Sequence, residues 1–270
     1  MTLPLPSFST RIEHHPKLLN SIKLAQKRAA NGEPEGLVIW ADEIQNARGR
    51  HGRNWSAKPG GLWLTILLRP NIPTTQAAKF NQLPTLCLLK TLQQLTSLPI
   101  QWKWPNDLVL HNSNQKLAGI LSLAQTTHQS LDYVLWGIGL NVQNPLPPTL
   151  NYQNSNTPTH LIATTLQEQG SQLTPREILF PFLNLLEEHY NTLQQSTFPW
   201  NNLFKNWEKQ CATLQQYVRV YQSPNKWIEG IATAIQPHNG ALTLQTPHGN
   251  LNILAGDCYH LQTLPPHNQP

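Results

Sequence analysis

Charged residues are scarce in this sequence of 270 residues: Asp, Glu, Lys and Arg together make up only 12% of it. Because that share is about half of what a typical soluble domain carries, we expect a surface that is polar through Gln, Asn and Thr rather than through ion pairs. The 19 basic and 14 acidic residues leave a net charge of +5. So small an excess does not require a nucleic-acid partner, although it suits an anionic substrate.

Cysteine is also rare, and the three that occur, Cys87, Cys211 and Cys258, lie far apart in the sequence. An odd, scattered set without metal or redox spacing argues against a disulfide framework and against a zinc site. The first eleven residues lack the basic-then-apolar form of a signal peptide, and no apolar run approaches the length of a membrane span. These absences predict a cytoplasmic protein without a membrane partner.

The hydrophobic pattern predicts helices and strands as far as Cys211, followed by a small antiparallel β-domain. Turn signals after Cys211 separate short strands, so we predict two domains, residues 1–212 and 213–270. The predicted helices span residues 17–30, 77–95 (interrupted by Pro84), 160–169, 175–193 and 200–211. The predicted strands span residues 37–41, 61–69, 100–104, 116–124 and 133–142, then 217–221, 227–235, 241–245 and 250–254.

The most distinctive segment, named here the arginine–glycine loop, covers residues 45–55 and reads QNARGRHGRNW. Glycines let backbone N–H groups approach an anion closely, arginines offer a planar fork to phosphate or carboxylate, and Trp55 offers a ring for stacking. Three interpretations are open: a phosphate and carboxylate clamp in an enzyme, an RNA- or DNA-binding loop, and a solvated surface loop. The hydrophobic strands on both sides argue against a disordered nucleic-acid tail.

Three further motifs are ambiguous when each is taken alone. KWPND (residues 103–107) is a strand end that leads into a turn, and its Asn and Asp have an ordinary role in turns. QKLAGIL (residues 115–121) and GIGLNV (residues 137–142) place glycines inside strands, which marks either tight packing or the approach of a ligand. The second of these is not a dinucleotide-binding fingerprint, since no helix start follows it.

In their order along the chain, RGRxGRxW (residues 48–55), KWPND, KLAGIL (residues 116–121) and GIGLN (residues 137–141) resemble the biotin–protein ligase family. The resemblance covers about residues 17–262. It implies an α/β (α+β) fold in which a mixed sheet with helices forms a catalytic domain of the class II synthetase and lipoate-ligase type, with a small C-terminal β-barrel. It also implies an ATP-dependent enzyme that forms biotinyl-5'-adenylate and transfers biotin to a lysine of the biotin carboxyl carrier protein of acetyl-CoA carboxylase, with ATP, biotin and Mg²⁺ as its ligands.

The resemblance assigns site residues position by position. Arg50, Lys116 and Asp107 are the implied catalytic residues, and no dedicated metal ligand is implied. The implied biotin-binding residues are Asn20, Ser21, Gln45, Arg48, Gly49, Arg50, Lys116 and Gly119. The implied ATP-binding residues are Arg53, Trp55, Lys103, Asn106, Asp107 and Asn141.

The chemistry fits this set independently. The carboxylate of biotin must attack the α-phosphorus of ATP, and two anions repel each other, so cations must bring them together. Arg50, Arg53 and Lys116 are the candidates, and Mg²⁺ on the phosphates would need few protein ligands. Asp107 is a candidate to orient the attacking lysine amine or to take its proton.

The sequence departs from the family pattern at two places. Asn20-Ser21-Ile22 stands where the family usually has Ser-Thr-Asn, so Ile22 removes an amide from the biotin site. The segment 256–262 has no arginine, which puts a C-terminal contribution to ATP binding in doubt. Because the catalytic pattern starts by about residue 17, we expect no DNA-binding domain and no DNA partner. A homodimer stays open, and the rivals are a lipoate–protein ligase, a ligase with poor turnover, and a non-catalytic nucleic-acid-binding protein.

Overall fold

The computed structural model describes residues 7–111, 113–127, 130–147, 162–194, 207–223 and 225–261. Seven strands form a mixed sheet in the spatial order β1-β2-β3-β7-β6-β5-β4, in which β1 and β2 pair in parallel and the other neighbours are antiparallel. Their bounds are β1 Ile12–His15, β2 Val38–Ala41, β3 Leu62–Leu68, β4 Ile100–Lys103, β5 Asp107–Leu110, β6 Lys116–Thr127 and β7 Ser130–Leu140.

Helices cover both faces of this sheet, and they are α1 Ser21–Ala30, α2 Ala77–Phe80, α3 Leu83–Leu95 and α4 Pro175–Gln194. One face is covered by α1, whose Ala25 and Ala29 are buried with Leu67 and Leu135. The opposite face carries α3 and α4 in the main core. Small alanines let α1 lie close to the sheet, and this closeness brings the first turn of α1 to the site described below.

Several predicted boundaries shift for local reasons. The first helix starts at Ser21 rather than at residue 17, because the backbone of Leu18 pairs with Glu43 and Gln45 instead (both 2.9 Å). The break in the second predicted helix falls at residues 81–82, while Pro84 sits in the first turn of α3, where its missing N–H costs nothing. The predicted helix 175–193 is confirmed as α4.

One further predicted helix is wrong, and another lies mostly outside the described residues. For residues 162–169 the prediction is wrong: Ala163 bridges to Lys116 beside β6, and a turn at residues 166–170 follows. Most of the predicted helix 200–211 lies outside the described residues, and its described end holds only a 3₁₀ turn, Glu208–Gln210. The short strands β1 and β5 were not predicted, since four residues carry too little periodicity to be distinguished from loops.

The C-terminal strands form a separate antiparallel sheet in the order β11-β10-β9-β8-β12. They are β8 Tyr217–Ser223, β9 Lys226–Ile235, β10 Leu242–Thr246, β11 Gly249–Ile253 and β12 Asp257–His260. The expected closed barrel is wrong, because β11 and β12 are the two edges and do not pair. Residues from elsewhere in the chain contact β12 and the residue before it. The carbonyl of Cys258 accepts a hydrogen bond from Lys103 Nζ of β4, and the carbonyl of Gly256 accepts one from Arg50 of the arginine–glycine loop.

The two sheets share one continuous core. Val218, Val220 and Leu242 of the second sheet belong to the same buried cluster as Trp102 and Trp104 of the first. Polar contacts reinforce the joint: Gly240 O accepts from Trp104 Nε1 (3.1 Å) and from Gln82 Nε2 (2.9 Å), and both donors are buried. The division into domains 1–212 and 213–270 stays a prediction, and the two sheets fall on either side of it.

Over the ranges that the structure describes, none of the helices combines the length and apolar character that a membrane crossing needs. Cys87, Cys211 and Cys258 are buried, unpaired thiols, as predicted. Burial raises the pKa of Cys211 to about 11 and that of Cys258 to about 12, so neither is a reactive thiolate.

Candidate active site

A cavity of about 490 Å³ lies between α1, the arginine–glycine loop and strands β6 and β7, with β12 forming one wall. Its floor follows the pairing of β6 with β7, in which Gly119 faces Gly139 and Leu121 faces Gly137. Side chains alternate along a strand, so the floor runs from Lys116 and Asn141 at one end to leucines beneath α1 at the other. The cavity therefore has a polar end and an apolar end.

Three floor glycines leave space that neighbouring side chains occupy. A Cβ on Gly119 would lie 3.1 Å from the ammonium of Lys116, one on Gly139 would lie 2.9 Å from the indole of Trp55, and one on Gly137 would lie 2.8 Å from Ile22 Cδ1. These glycines are in strands, where their absence of a side chain weakens packing. Their positions show that the floor has to be flat for Lys116, Trp55 and Ile22 to lie over it.

Lys116 and Asp107 meet at the polar end. Asp107 opens β5 and pairs with Gly119 on β6, which brings its Oδ1 within 2.7 Å of Lys116 Nζ. The ammonium also lies 5.3 Å from the ring centre of Trp55, a distance typical of a cation–π contact. Lys116 is thus held between an anion and a ring, while a quarter of its side chain stays exposed to the cavity.

The arginine–glycine loop folds back on itself rather than running freely over the surface. Gly49 N donates to Arg53 O (2.8 Å) and Trp55 N donates to Ala47 O (3.1 Å). At the turn, His51 adopts φ 53°, in the left-handed region. Arg48 is largely exposed at the edge of the cavity, and its guanidinium donates to the amide oxygen of Asn54. This fold presents Arg50 and Arg53 on one side.

Arg50 bridges the two sheets. Its Nη1 donates to Asn106 Oδ1 (3.0 Å) and its Nη2 donates to Gly256 O (3.0 Å). Arg53 donates to Asp257 Oδ1 (3.0 Å) and to the hydroxyl of Tyr259 (3.4 Å). Both guanidiniums line the cavity, which contradicts a simple solvated loop and agrees with the clamp interpretation.

The wall from β12 was missed by the sequence interpretation. Asp257, Cys258 and Tyr259 line the cavity. The absence of an arginine in residues 256–262 puts a contribution of this segment to ATP binding in doubt, so the sequence alone does not predict this wall. Burial raises the pKa of Tyr259, and the Arg53 guanidinium opposes that rise. A signal was present in the sequence, since a glycine followed by an acidic residue after the last strand is an unusual strand start, but nothing local shows what it contacts.

At the apolar end, the three residues at the start of α1 make different contacts. Asn20 caps the helix, because its Oδ1 accepts from Lys23 N (2.9 Å) and its amide donates to Asn46 O (3.0 Å). Ser21 is buried, and its hydroxyl oxygen accepts a hydrogen bond from the hydroxyl of Thr65 (2.8 Å). Ile22 packs over Gly137, so the wall at this position is a hydrocarbon.

The remaining predicted residues support the polar end. Lys103 is buried and donates to Cys258 O. Asn106 donates its amide to Ile120 O while its oxygen holds Arg50. Asn141 is buried, with its oxygen receiving Asn144 Nδ2 (3.2 Å).

All predicted site residues but one line the same cavity. The exception is Gln45, whose side chain is exposed, while its backbone N–H pairs with Leu18. The described part of the lining holds six basic residues, Lys23, Arg48, Arg50, Arg53, Lys103 and Lys116, and two acidic ones, Asp107 and Asp257. The positive charge of the chain is therefore concentrated where an anionic substrate would bind.

Comparison with known proteins agrees with this geometry. The model of the biotin/lipoate A/B protein ligase family matches residues 19–141, which contain the whole floor of the cavity. Over these residues the chain is similar to the biotin/lipoate ligases. The matched segment contains the four predicted motifs, and residues from each of them line one cavity.

Curated relatives extend the likeness over most of the chain. The bifunctional ligase/repressor BirA of Bacillus subtilis is 28% identical over 248 residues, which cover 90% of this chain and 72% of that protein. The biotin--[acetyl-CoA-carboxylase] ligase of Paracoccus denitrificans is 27% identical and covers 86% of this chain and 93% of its own. Among solved structures, the biotin protein ligase from Aquifex aeolicus in complex with biotin and ATP has a TM-score of 0.75 at 22% identity, covering 94% of this chain and 99% of that one. That likeness establishes a shared fold.

Proposed function

We propose that this chain activates biotin as biotinyl-5'-adenylate with ATP and transfers the biotin to a lysine of a biotin carboxyl carrier protein. The match of residues 19–141 to the family model and the relatives named as biotin ligases support the reaction class. The observation that carries the proposal is the polarity of the cavity. An apolar pocket under Ile22 and Leu121 continues into a cluster of cations around Lys116 and Arg50.

This layout matches a ligand with an apolar ring and chain at one end and a carboxylate at the other. A bicyclic ring would lie under α1, where Ser21 is one of the polar residues in the cavity lining. The valeryl chain would run over the flat floor of Gly137 and Gly139. Its carboxylate would then arrive at Lys116, which the ion pair with Asp107 holds in place.

In the first step, a carboxylate oxygen of biotin attacks the α-phosphorus of ATP, the mixed anhydride bond forms, and pyrophosphate leaves. Lys116, Arg50 and Arg53 reduce the repulsion between the two anions and stabilise charge that builds up on the phosphorus oxygens. Trp55 lies over the floor at Gly139 and packs edge-on against Trp63 (6.4 Å between ring centres). It supplies an apolar surface for the nucleotide and excludes water from the anhydride.

In the second step, the carrier lysine amine attacks the acyl carbon, an amide bond forms, and AMP leaves with the electron pair of the broken C–O bond. The amine must lose a proton as it attacks. Asp107 lies at the polar end with its carboxylate in the cavity wall, so it is the group proposed to accept that proton.

Magnesium accompanies ATP in such reactions, and the residues fit a loosely held ion. Mg²⁺ keeps several waters and binds through phosphates with one or two carboxylates. The described residues contain no group of three or more His, Cys, Asp or Glu side chains that could hold a metal ion. Asp107, Asn106 and Asn141 line the polar end of the cavity. The ion would neutralise phosphate charge, with Asp107 as its protein contact.

Three further parts of the proposal concern its setting. The buried, unpaired cysteines suit a reducing compartment such as the cytoplasm. The carrier is proposed to be the biotin carboxyl carrier protein of acetyl-CoA carboxylase, by similarity to relatives that bear that enzyme's name. The proposal includes no DNA partner and leaves a homodimer open, which gel-shift and sedimentation measurements would decide.

A lipoate–protein ligase is the second candidate, and the observation that favours it is Ile22. The dithiolane ring of lipoate makes no strong hydrogen bonds, so a hydrocarbon wall over Gly137 suits it better than it suits a ureido group. The family model covers both activities.

One experiment separates these functions. The protein is incubated with ATP, Mg²⁺ and either biotin or lipoate, and pyrophosphate release and acyl-adenylate are measured. Biotin-dependent adenylate is expected. Adenylate formed only with lipoate would transfer the assignment to the second candidate, and no adenylate with either acid would refute both.

A further inference from the structure

Asp257 places a carboxylate against the cations that are proposed to bind ATP. It is the first residue of β12, and only 16% of its side chain is exposed. Its Oδ1 lies 3.0 Å from Arg53 Nη2, 3.7 Å from Arg50 Nη2 and 3.6 Å from His51 Nε2. One carboxylate from the second sheet therefore lies near three residues of the arginine–glycine loop, Arg50, His51 and Arg53.

Arg53 has all three of its guanidinium nitrogens engaged by protein acceptors. Nε donates to Arg50 O (3.2 Å), Nη1 to Tyr259 Oη (3.4 Å) and Nη2 to Asp257 Oδ1 (3.0 Å). Because all three nitrogens already donate to protein acceptors, at least one of these hydrogen bonds must break before Arg53 can form two parallel hydrogen bonds to a phosphate. Among these acceptors, Asp257 is the one whose charge competes directly with phosphate.

The surroundings of Asp257 make a permanent contact unfavourable once a nucleotide is bound. The carboxylate and a triphosphate would face the same two guanidiniums, and like charges at such short distance repel. In the free protein, however, the same carboxylate neutralises cations that would otherwise repel one another across the turn. The contact is thus stabilising without nucleotide and costly with it.

We propose that Asp257 holds Arg50 and Arg53 against the C-terminal sheet in the free enzyme, and that nucleotide phosphates displace it. Asp257 is in this view a positioning residue that acts through the arginines, and it couples the C-terminal sheet to the closure of the arginine–glycine loop. Tyr259 is the uncharged second holder of Arg53. The inference rests on the proposed function for the identity of the displacing anion, while the contact itself does not depend on it.

Asp257→Asn keeps the shape of the side chain and removes its charge, and Asp132→Asn is the matched control. Asp132 also pairs with an arginine, Arg69 (3.1 Å), but lies outside the cavity. The probe is α,β-methylene ATP, whose binding is measured by calorimetry in the presence of saturating biotin. Because the apparent dissociation constant includes the cost of leaving the held state, Asp257→Asn is expected to bind the probe about threefold to tenfold more tightly than wild type.

Limited trypsin digestion measures how accessible the arginine–glycine loop is, and it does not depend on enzymatic turnover. Trypsin cleaves after Arg48, Arg50 and Arg53, and the held loop protects the last two. Without nucleotide, cleavage of Asp257→Asn is expected to be several times faster than that of wild type or Asp132→Asn, and the ATP analogue is expected to protect all three proteins. Tyr259→Phe is expected to shift both measurements in the same direction by less.

Two outcomes would overturn the proposal. Weaker binding of the analogue to Asp257→Asn would show that the carboxylate orients the arginines for the nucleotide instead of competing with it. Equal trypsin sensitivity of Asp257→Asn and wild type would show that the contact does not hold the loop. If wild type forms no adenylate, the proposed function fails, but the nucleotide-free digestion still decides whether Asp257 holds the loop.

Discussion

The ammonium of Lys116 lies 2.7 Å from the carboxylate of Asp107, on neighbouring strands of the first sheet. Each group restrains the other, and Gly119 leaves the space in which they meet. The pair joins the two proposed chemical steps, because Lys116 faces the attacking carboxylate in the first and Asp107 faces the attacking amine in the second. Changes to each partner should therefore affect different steps.

Lys116→Met should slow adenylation by about 10² to 10³, a range typical for loss of one group that stabilises developing charge. The methionine keeps the length of the side chain and its contact with Trp55. Pyrophosphate release with biotin and ATP measures the effect, and the thermal midpoint checks the fold. Lys226→Met, at an exposed strand end, is the matched control and should leave the rate unchanged. A Lys116→Met rate within threefold of wild type would contradict the placement of the cation cluster.

Asp107→Asn should slow transfer more than adenylation, since the amide cannot accept a proton from the attacking amine. Single-turnover transfer from preformed biotinyl-adenylate to a carrier domain should fall by at least about 10², in line with the usual contribution of a general base. Pyrophosphate release, measured separately, should fall by less. Equal losses in both steps would assign Asp107 to nucleotide or metal binding alone.

Two of the three floor glycines, Gly137 and Gly139, should differ in their tolerance of a methyl group. Gly139→Ala should raise the KM for ATP by about tenfold, as expected for 1–3 kcal/mol of overpacking, because its Cβ would meet three ring atoms of Trp55 within 3.0 Å. Gly137→Ala should have a small effect, since the atom it meets first is the flexible end of Ile22. The KM for ATP of both variants checks this contrast. The double variant Gly139→Ala/Trp55→Ala, which removes the ring that the new methyl group would meet, is compared with Trp55→Ala and should show no further increase.

Short, ordered motifs allowed many of the residues that line the cavity to be predicted from the sequence. KWPND, KLAGIL and GIGLN each end or begin a strand, and adjacent strands brought their residues to one floor. The contributions that were missed are those that depend on long-range contact. Nothing near Asp257 in the sequence indicates that it meets Arg53, which is 204 residues away.

Other outcomes have the same origin. Asn20, which is predicted to bind biotin, lines the cavity, and its side chain also caps α1 and donates to Asn46. Gln45 was placed in the site by its neighbours, yet its side chain is exposed. The open C-terminal sheet resembles a barrel in its strand count and spacing, and only the contacts of β12 with Lys103 and Arg50 show why that edge stays unpaired. Local patterns therefore fix the elements, while tertiary contacts decide the use of each polar side chain.

His260 should make the folded protein sensitive to acid. Burial, reinforced by the charge of Lys103, lowers the pKa of His260 to about 3 from its ordinary value of 6.5. Between these two pH values the unfolded chain binds a proton that the folded protein does not, so stability falls as the pH decreases from 6.5 towards 3 and is fully present above 6.5. The slope from this group is at most about 1.4 kcal/mol per pH unit.

His260→Gln should remove this part of the acid slope, because glutamine keeps a polar contact for Thr213 but does not titrate. Urea unfolding at pH 7 and pH 4.5 measures the change in the free energy of unfolding between the two conditions. His248→Gln, in an exposed turn, is the control and should keep the wild-type difference. An unchanged difference in His260→Gln would show that other groups govern the acid response.

Ile22→Asn should decide how the apolar end selects its ring. An asparagine at this position would add an amide to a wall that now offers hydrocarbon over Gly137, and a ureido ring left without partners there loses hydrogen bonds that it had in water. We expect the KM for biotin to fall by about fivefold to tenfold, the value of one added hydrogen bond, while kcat changes little because the reacting carboxylate lies at the other end. Ile22→Leu, which keeps the hydrocarbon, should leave the KM for biotin near that of wild type. A higher KM for biotin in Ile22→Asn than in Ile22→Leu would mean that the ring is held mainly by apolar contact. Adenylation of lipoate by the same variants would then show whether this apolar wall binds lipoate, as the second candidate function requires.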